Sequence, residues 1–240
     1  MSATIDRDAG VFETMLMLDG RLVDRHRHLR RLANSVETVY CSQLPAALDR
    51  ELDGLLPRPT ARVRVSVWPI ASSLASKVEV EPNRSRRRPL ALELIPLTID
   101  GGLGCHKWRD RSWLEDQRRQ QGCGADAELL LLDSDGEVLE TERAAVLIVE
   151  DDRLVVAPND VRRLPSLTRR RAMAAAQEVG LRPTVQPIGF RRLLAADQVL
   201  VASSIRLIVA ASACGNRRWP PVDTAQRLTS ALVGALGFSS

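Results

Sequence analysis

At 240 residues the chain can form one large domain or two smaller ones, and 45% hydrophobic with 27% charged residues is ordinary globular composition. A net charge of +4, arginines spread along the whole length and only 3% aromatic residues argue against nucleic acid as a partner. The cysteines, Cys41, Cys105, Cys123 and Cys214, form no CxxC pair, so neither a metal site nor a disulfide framework is expected. No run approaches membrane-spanning length, and MSATIDRDAG lacks the apolar core of a signal peptide; the expectation is a cytoplasmic protein with no membrane partner.

The stretch VFETMLMLDGRLVDR predicts two strands joined by a turn at Asp19-Gly20. Leu29, Leu32, Val36 and Val39 recur at helical spacing, which predicts a helix from His26 to Val39. Pro45 suits the first turn of a second helix carrying Leu48, Leu52 and Leu55. ARVRVSVW then alternates strictly, with Val63, Val65 and Val67 on one face, and KVEVEP continues the strand pattern. The Arg-rich stretch Glu81 to Pro89 interrupts it and reads as an exposed join between domains.

Beyond the join come a strand, LALELIPL, a Gly-rich turn, and His106-Lys107-Trp108 leading into a helix that runs to about Gln121 and stops at Gly122. ELLLLDSDGEVLE predicts a hairpin with Asp135-Gly136 at its tip, and AAVLIVEDDRLVVAP predicts another turning near Glu150 to Asp152. LPSLTRRRAMAAAQEVG reads as a loop opening into a helix ended by Gly180. A strand near Thr184 to Ile188, a short helix over Phe190 to Ala196 and the run QVLVASSIRLIVAAS complete the core. An amphipathic helix from Asp223 to Leu236 closes the chain, with Asp223 as N-cap and Gln226 as its capping-box partner.

Two lysines, Lys77 and Lys107, stand among 34 basic residues; the others are arginine. Guanidinium stays charged at any accessible pH, whereas an amine can lose its proton and act as nucleophile or base. Lys107 is therefore a candidate for Schiff-base chemistry. Glu140 ends a strand. LPSLTR has the chemistry of an anion site, because the first amides of a helix have no internal partners and Ser166 and Thr168 add hydroxyls; a simple N-cap is the alternative. Arg31 lies beside the apolar stripe of its helix, within reach of a phosphate or placed to snorkel.

These features occur in an order that resembles the class IV aminotransferases, the fold type IV pyridoxal-phosphate enzymes. The resemblance rests on Phe12-Glu13-Thr14, Asp19-Gly20, His28-Leu29-Arg30-Arg31-Leu32 with Ser35, Lys107, LLLDSDGEVLE ending at Glu140, Leu164 to Arg169, and Ser203-Ser204. It covers almost the whole length and is closest in look to 4-amino-4-deoxychorismate lyase. It implies an α/β (α+β) fold in two domains: a small α/β N-terminal domain, residues 1–88, and a larger pseudo-barrel cofactor-binding domain, residues 89–240. It implies pyridoxal 5'-phosphate as cofactor, a small amine as substrate and a homodimer.

By the same resemblance, Lys107 matches the lysine that holds the cofactor and moves protons, and Glu140 the acid on the pyridine nitrogen. Arg31 matches the phosphate-binding arginine. The amides of Leu167 and Thr168, with Ser203 or Ser204, match the rest of the phosphate cup, and Thr14 falls close to a hydroxyl that lyases use. The chain departs from the family's ExSxAN with Glu140-Thr141-Glu142-Arg143-Ala144-Ala145, and Ser166 stands where the family generally has Gly. The reactions open to such a protein are the lyase reaction and transamination of branched-chain or D-amino acids. A non-catalytic family member is the reading from another class.

Overall fold

The computed structural model describes residues 3–83 and 92–236. These fall into two compact units. The 84–91 stretch, which holds most of the expected join, the expected domain boundary and the first residues of LALELIPL, lies outside the described residues.

One unit comprises residues 4–83 together with His106–Trp113. Its sheet runs in the order β2-β1-β3-β4, built from β1 (Val11–Leu18), β2 (Arg21–Leu22), β3 (Thr60–Ile70) and β4 (Ser73–Pro82). All its ladders are antiparallel, and β1 pairs with β3 along its whole length, from Val11↔Val67 to Leu18↔Thr60. Alternation places Val11, Met15, Met17, Val63, Val65 and Val67 on one face. There they meet Leu32 and Val36 of α1 (Arg25–Tyr40) and Leu48 and Leu52 of α2 (Ala47–Asp53). The opposite face carries Phe12, Thr14, Arg64 and Ser66. Gly10 enters β1 with φ +105, and a Cβ there would lie 2.3 Å from the Val67 carbonyl oxygen, so only glycine fits.

The other unit comprises residues 92–105 and 114–236. Its sheet has the order β10-β9-β8-β11-β12-β5-β6-β7, with β13 (Arg217–Arg218) on β12. The strands are β5 (Leu92–Thr98), β6 (Ala127–Leu132), β7 (Val138–Thr141), β8 (Ala145–Glu150), β9 (Arg153–Val156), β10 (Arg182–Val185), β11 (Gln198–Ser203) and β12 (Leu207–Cys214). The β12/β5, β5/β6 and β9/β10 pairs are parallel and the others antiparallel. Both faces are covered, which is why β6 and β8 are apolar without alternation. Val146, Ile148, Val201 and Val209 enter one core, while Leu147, Val149 and Leu200 enter a second against α4 (Leu167–Ala175) and α6 (Thr224–Gly234). The helices α3 (Ser112–Gln120) and α5 (Phe190–Ala195) complete the set.

The mixed α/β class is as expected, and several elements differ in detail from the sequence reading; the second helix, for one, spans Ala47–Asp53 and leaves Pro45 and Leu55 outside it. The helix after Lys107 begins only at Ser112, because residues 107–109 are drawn out along β1 and the Asp110 carboxylate receives the Ser112 amide at 3.0 Å. The strand expected from Thr184 starts at Arg182, where pairing to β9 begins with Arg182↔Arg153. QVLVASSIRLIVAAS breaks into β11 and β12, with Leu207 at φ +58. The capping box at Asp223 does not form: that residue has φ −83 and ψ −8, already helical, and its side chain accepts no cap hydrogen bond.

Glu13 shares the apolar face of β1 and is 1% exposed. Its carboxylate accepts from Arg31 Nε at 2.6 Å and Nη2 at 2.8 Å and lies 2.7 Å from His28 Nδ1, both residues being on α1. Burial alone raises the pKa of this carboxyl, but Arg31 and His28 outweigh it and hold it at about 2. A depressed carboxyl contributes stability above its unfolded pKa and loses it as pH falls through the folded one, here between about 4.5 and about 2. Glu13→Gln removes the charge but leaves Arg31 buried, so urea titration at neutral pH is expected to show a loss of roughly 3–5 kcal/mol. The variant's stability should also fall less steeply than the parent's across that acid window.

Candidate functional site

Lys107 is held by the backbone. Phe12 N donates to the Lys107 carbonyl at 2.9 Å, Arg109 N donates to the Gly10 carbonyl at 2.9 Å, and Val11 faces Trp108 in an antiparallel bridge. Residues 107–109 thus lie along the edge of β1 that β2 pairs with further on. Trp108, on the Val11 side, is buried in the apolar core of the unit. Alternation sends Lys107 to the other face, where its amine lies 5.1 Å from the centre of the Phe12 ring. His106 Nδ1 lies 3.0 Å from Ser35 Oγ, and its ring meets Trp108 edge-on at 5.4 Å. Burial, and then Arg7, push the His106 pKa below the ordinary value, which leaves the ring neutral near pH 7. The other lysine, Lys77, sits exposed on β4 and pairs with Glu79 at 2.8 Å. Lys107 is half-buried, with its amine near an aromatic ring.

Arg31 and Thr14 belong to the same unit. Arg31 is clamped by its two bonds to Glu13, which fix the guanidinium plane. Thr14 lies on the face of β1 that also carries Phe12, opposite Arg64 in register.

In the second unit Glu140, on β7, is 9% exposed and pairs with Leu131 of β6. The next residues turn tightly: Thr141 N donates to the Ala144 carbonyl at 2.7 Å, and Ala144 N donates to Thr141 Oγ1 at 2.9 Å. β8 follows, and its Ala145 pairs with Ala202, the neighbour of Ser203. Glu140, the start of β8 and the Ser203-Ser204 end of β11 therefore share one end of the sheet. β9 runs antiparallel to β8 and ends at that same end before the chain reaches α4. Arg169, in the first turn of α4, donates to the Ala157 carbonyl at 2.8 Å and to Asn159 Oδ1. Burial, and then Arg163, push its pKa below the ordinary value, while Asp160 and Glu140 oppose them.

Ser166 is the N-cap of α4, and its Oγ accepts the Arg169 amide at 3.2 Å. The amides of Leu167 and Thr168 have no protein acceptor among the described residues, which is the donor pair an anion requires. The N-cap and the anion-site readings of LPSLTR are thus compatible, since Ser166 takes the Arg169 amide and leaves the two before it. Ser203 Oγ accepts the Arg206 amide at 3.4 Å.

The departure at Glu142 is accommodated locally. Its buried carboxylate pairs with Arg118 of α3, which also donates to the Ala127 and Gly124 carbonyls at 2.9 Å each. Ala145 is buried within the β8/β11 ladder. The sequence reading missed Glu13 and His28 as the partners that orient Arg31. The available signal was an acid at 13 among Val11, Met15 and Met17, since a carboxylate on an apolar face needs a cation above it. Among the described residues no cluster of three His, Cys, Asp or Glu could hold a metal, and no helix is long and apolar enough to cross a membrane.

Residues 111–214 match the profile of the family described as amino-transferase class IV. That segment, less than half of the chain, is similar to the class IV amino-transferases. The fold of the chain is shared with solved structures. One is a hypothetical aminotransferase from Mycobacterium tuberculosis in its α-ketoglutarate and PMP bound form (20% identity, 95% of this chain and 90% of that one, TM-score 0.80). Another is the fold IV-transaminase CpuTA1 from Curtobacterium pusillum (20% identity, 97% and 91%, TM-score 0.82). A third is a candidate 4-amino-4-deoxychorismate lyase from Legionella pneumophila (20% identity, 98% and 96%, TM-score 0.77). At these identities the likeness establishes the fold. No curated sequence matches the chain. Class IV amino-transferases are pyridoxal 5'-phosphate enzymes, and a PLP-bound form of the Mycobacterium tuberculosis protein is among the similar structures.

Taken unit by unit, the donor types suit that cofactor: a half-buried lysine amine in the first, and a buried carboxylate and two helix-start amides in the second. The cap at Ser166 is testable apart from any activity. Ser166→Ala is expected to cost about 1 kcal/mol in urea unfolding and Ser166→Gly only a few tenths, the ordering of an N-cap.

Proposed function

We propose that the chain is a pyridoxal 5'-phosphate-dependent enzyme acting on a small amine, with Lys107 as its covalent anchor and proton carrier. The observation that carries this is the Lys107 amine, fixed through the backbone to β1 and set over the Phe12 ring, in a chain that otherwise uses arginine. Glu140 is assigned to the ring nitrogen. Arg31, the Leu167 and Thr168 amides, Ser203 and Ser204 are assigned to the phosphate, and Thr14 to the substrate. When bound, the cofactor supplies a ring that absorbs the electron pair left by a departing proton. Lys107 takes that proton from the substrate carbon bearing nitrogen, and Glu140 keeps a proton on the ring nitrogen.

Within the family's chemistry we assign the cleavage of 4-amino-4-deoxychorismate to p-aminobenzoate and pyruvate. After Lys107 has taken its proton, enolpyruvate leaves from the neighbouring carbon, the ring becomes aromatic, and protonation of the released fragment gives pyruvate. Thr14, on the same strand face as Phe12, supports this reading, as does the likeness to the Legionella pneumophila protein. Transamination of branched-chain or D-amino acids is the second reading, favoured by the likeness to the α-ketoglutarate and PMP bound structure. Incubation with 4-amino-4-deoxychorismate, and separately with L- and D-amino acids plus keto-acid acceptors, decides between them. Release of p-aminobenzoate with pyruvate supports the first, new keto acid supports the second, and neither from a loaded protein removes both.

Lys107→Arg should fold as the parent does yet yield no borohydride-fixed cofactor adduct by mass spectrometry; an adduct on Lys77 instead would move the anchor. Glu140→Gln should keep the adduct and lower kcat by roughly 10- to 150-fold, the equivalent of one lost charge-assisted hydrogen bond. A change within about threefold would remove Glu140 from the role. We also infer a cytoplasmic homodimer, from the family resemblance and from the exposed apolar side chains of Leu56, Ile70 and Val161. Light scattering at micromolar concentration should then give about twice the 26.5 kDa chain mass.

A further inference from the structure

Glu128, near the start of β6, is 1% exposed, and alternation sets its side chain on the face that Leu130 and Leu132 turn to the apolar core. Both of its oxygens are occupied. Oε2 accepts the Thr141 hydroxyl at 2.6 Å, and Oε1 accepts from Arg206 Nη2. Thr141 pairs with Leu130 across the β6/β7 ladder and so shares the face of Glu128, while Glu140, opposite Leu131, is on the other face. With its proton given to Glu128, Thr141 Oγ1 accepts two amides, Ala144 N at 2.9 Å and Arg143 N at 3.3 Å. Arg206 lies in the turn between β11 and β12, where its amide donates to Ser203 Oγ.

Each oxygen of this carboxylate thus reaches a different loop. One loop follows Glu140, the acid assigned to a ring nitrogen. The other holds Ser203 and Ser204, assigned to a phosphate. Replacing a buried ion pair with well-packed apolar side chains is often neutral, so such a pair adds little net stability. What it adds is geometry. The two oxygens have a fixed separation, and a hydroxyl and a guanidinium bonded to them cannot drift apart independently. A leucine at 128, like its neighbours on β6, would fill the space and set no such distance. The β8/β11 ladder does not set it either, because it ends at Ala145↔Ala202 and leaves Thr141 and Ser203 beyond it.

We propose that Glu128 is a positioning residue for the cofactor. It holds Thr141 and Arg206 at one spacing, and through them the ring-nitrogen acid and the hydroxyls assigned to the phosphate. This rests on the assignment of Glu140, Ser203 and Ser204, and adds the group that keeps those two ends in register. A rigid ligand with a ring nitrogen and a phosphate is bound best by groups already held at the matching separation. Glu128, buried in the core, acts on the ligand only through the two loops.

The test is calorimetric titration of the full chain with pyridoxamine 5'-phosphate and with pyridoxamine. Neither carries an aldehyde, so no bond to Lys107 enters the measurement. Thr141→Val acts at the ring-nitrogen end and is expected to weaken both ligands alike, by roughly three- to tenfold. Arg206→Met acts at the phosphate end and should weaken pyridoxamine 5'-phosphate by about the same factor while leaving pyridoxamine unchanged. Glu128→Gln should weaken the phosphorylated ligand at least about tenfold. Thr141→Ser and Arg206→Lys keep the hydroxyl and the cation and should bind as the parent does. Thr141→Val alters no charge and keeps the branched shape, so it reads the site even if Glu128→Gln or Arg206→Met proves unstable. Equal losses for both ligands in every variant, in step with stability to urea, would mark a pair that serves stability alone and overturn the proposal. Parent-like binding by Thr141→Val would overturn it too, and in both cases the cofactor assignment stands. A parent that binds neither ligand removes that assignment, and the positioning role with it.

Discussion

Two backbone hydrogen bonds, from Phe12 N to the Lys107 carbonyl and from Arg109 N to the Gly10 carbonyl, tie a loop segment to the edge of β1. An amine on a four-carbon stem has a wide reach, and chemistry at one substrate atom needs its root fixed. The pairing fixes the root, and the strand pleat then decides the side. Trp108 goes to the core beside Val11, so Lys107 must go to the polar face beside Phe12. The approach of β1 to β3 at this point depends on Gly10, whose missing Cβ leaves room for the Val67 carbonyl. A side chain there would push the end of β1 off β3 and move the lysine with it.

The same strand carries information on both faces. Towards α1 it presents Glu13, which turns one residue of an apolar row into an anchor for Arg31 and His28. On its other face it presents Phe12 and Thr14. A shift of β1 by one residue would exchange the two faces, burying Phe12 and Thr14 under the helix and exposing the carboxylate. Register is therefore tightly specified, and the eight consecutive pairings between β1 and β3 are what hold it.

Much of this was legible in the sequence, and the gaps have physical causes. Elements governed by local chemistry came through: the Asp19-Gly20 and Asp135-Gly136 turns, the alternating β3, the stop at Gly180. Elements governed by distant pairing did not. Nothing local in KWRDR says that it lies extended, because its hydrogen-bond partners are about a hundred residues earlier at Gly10 and Phe12. At Asp223 the side chain had the right type, but the backbone was already helical there and no cap formed. For the candidate site, the motif order pointed to Lys107, Glu140 and the α4 amides. It could not show the Glu13 and His28 partners of Arg31, which only the packing of α1 on β1 brings together.

The arginine bias itself follows from these neighbours. Arg163 is 2% exposed and holds Asp160, Glu137 and the Val138 carbonyl, while Arg162 beside it holds Asp133, Glu137 and Asp160. Arg162 draws Asp133, at the mouth of the β6–β7 turn, down to a pKa of about 2, with the Gly101 amide as the next cause. Gly101 begins the turn that leads towards Lys107, and a Cβ on Gly102 would meet the Arg162 carbonyl oxygen at 2.1 Å. Such a cluster needs several donors from one side chain in a fixed plane, which guanidinium provides and ammonium does not. Lysine in these places would leave acceptors unmet. Arginine is thus used where charge must be held in place by several acceptors at once.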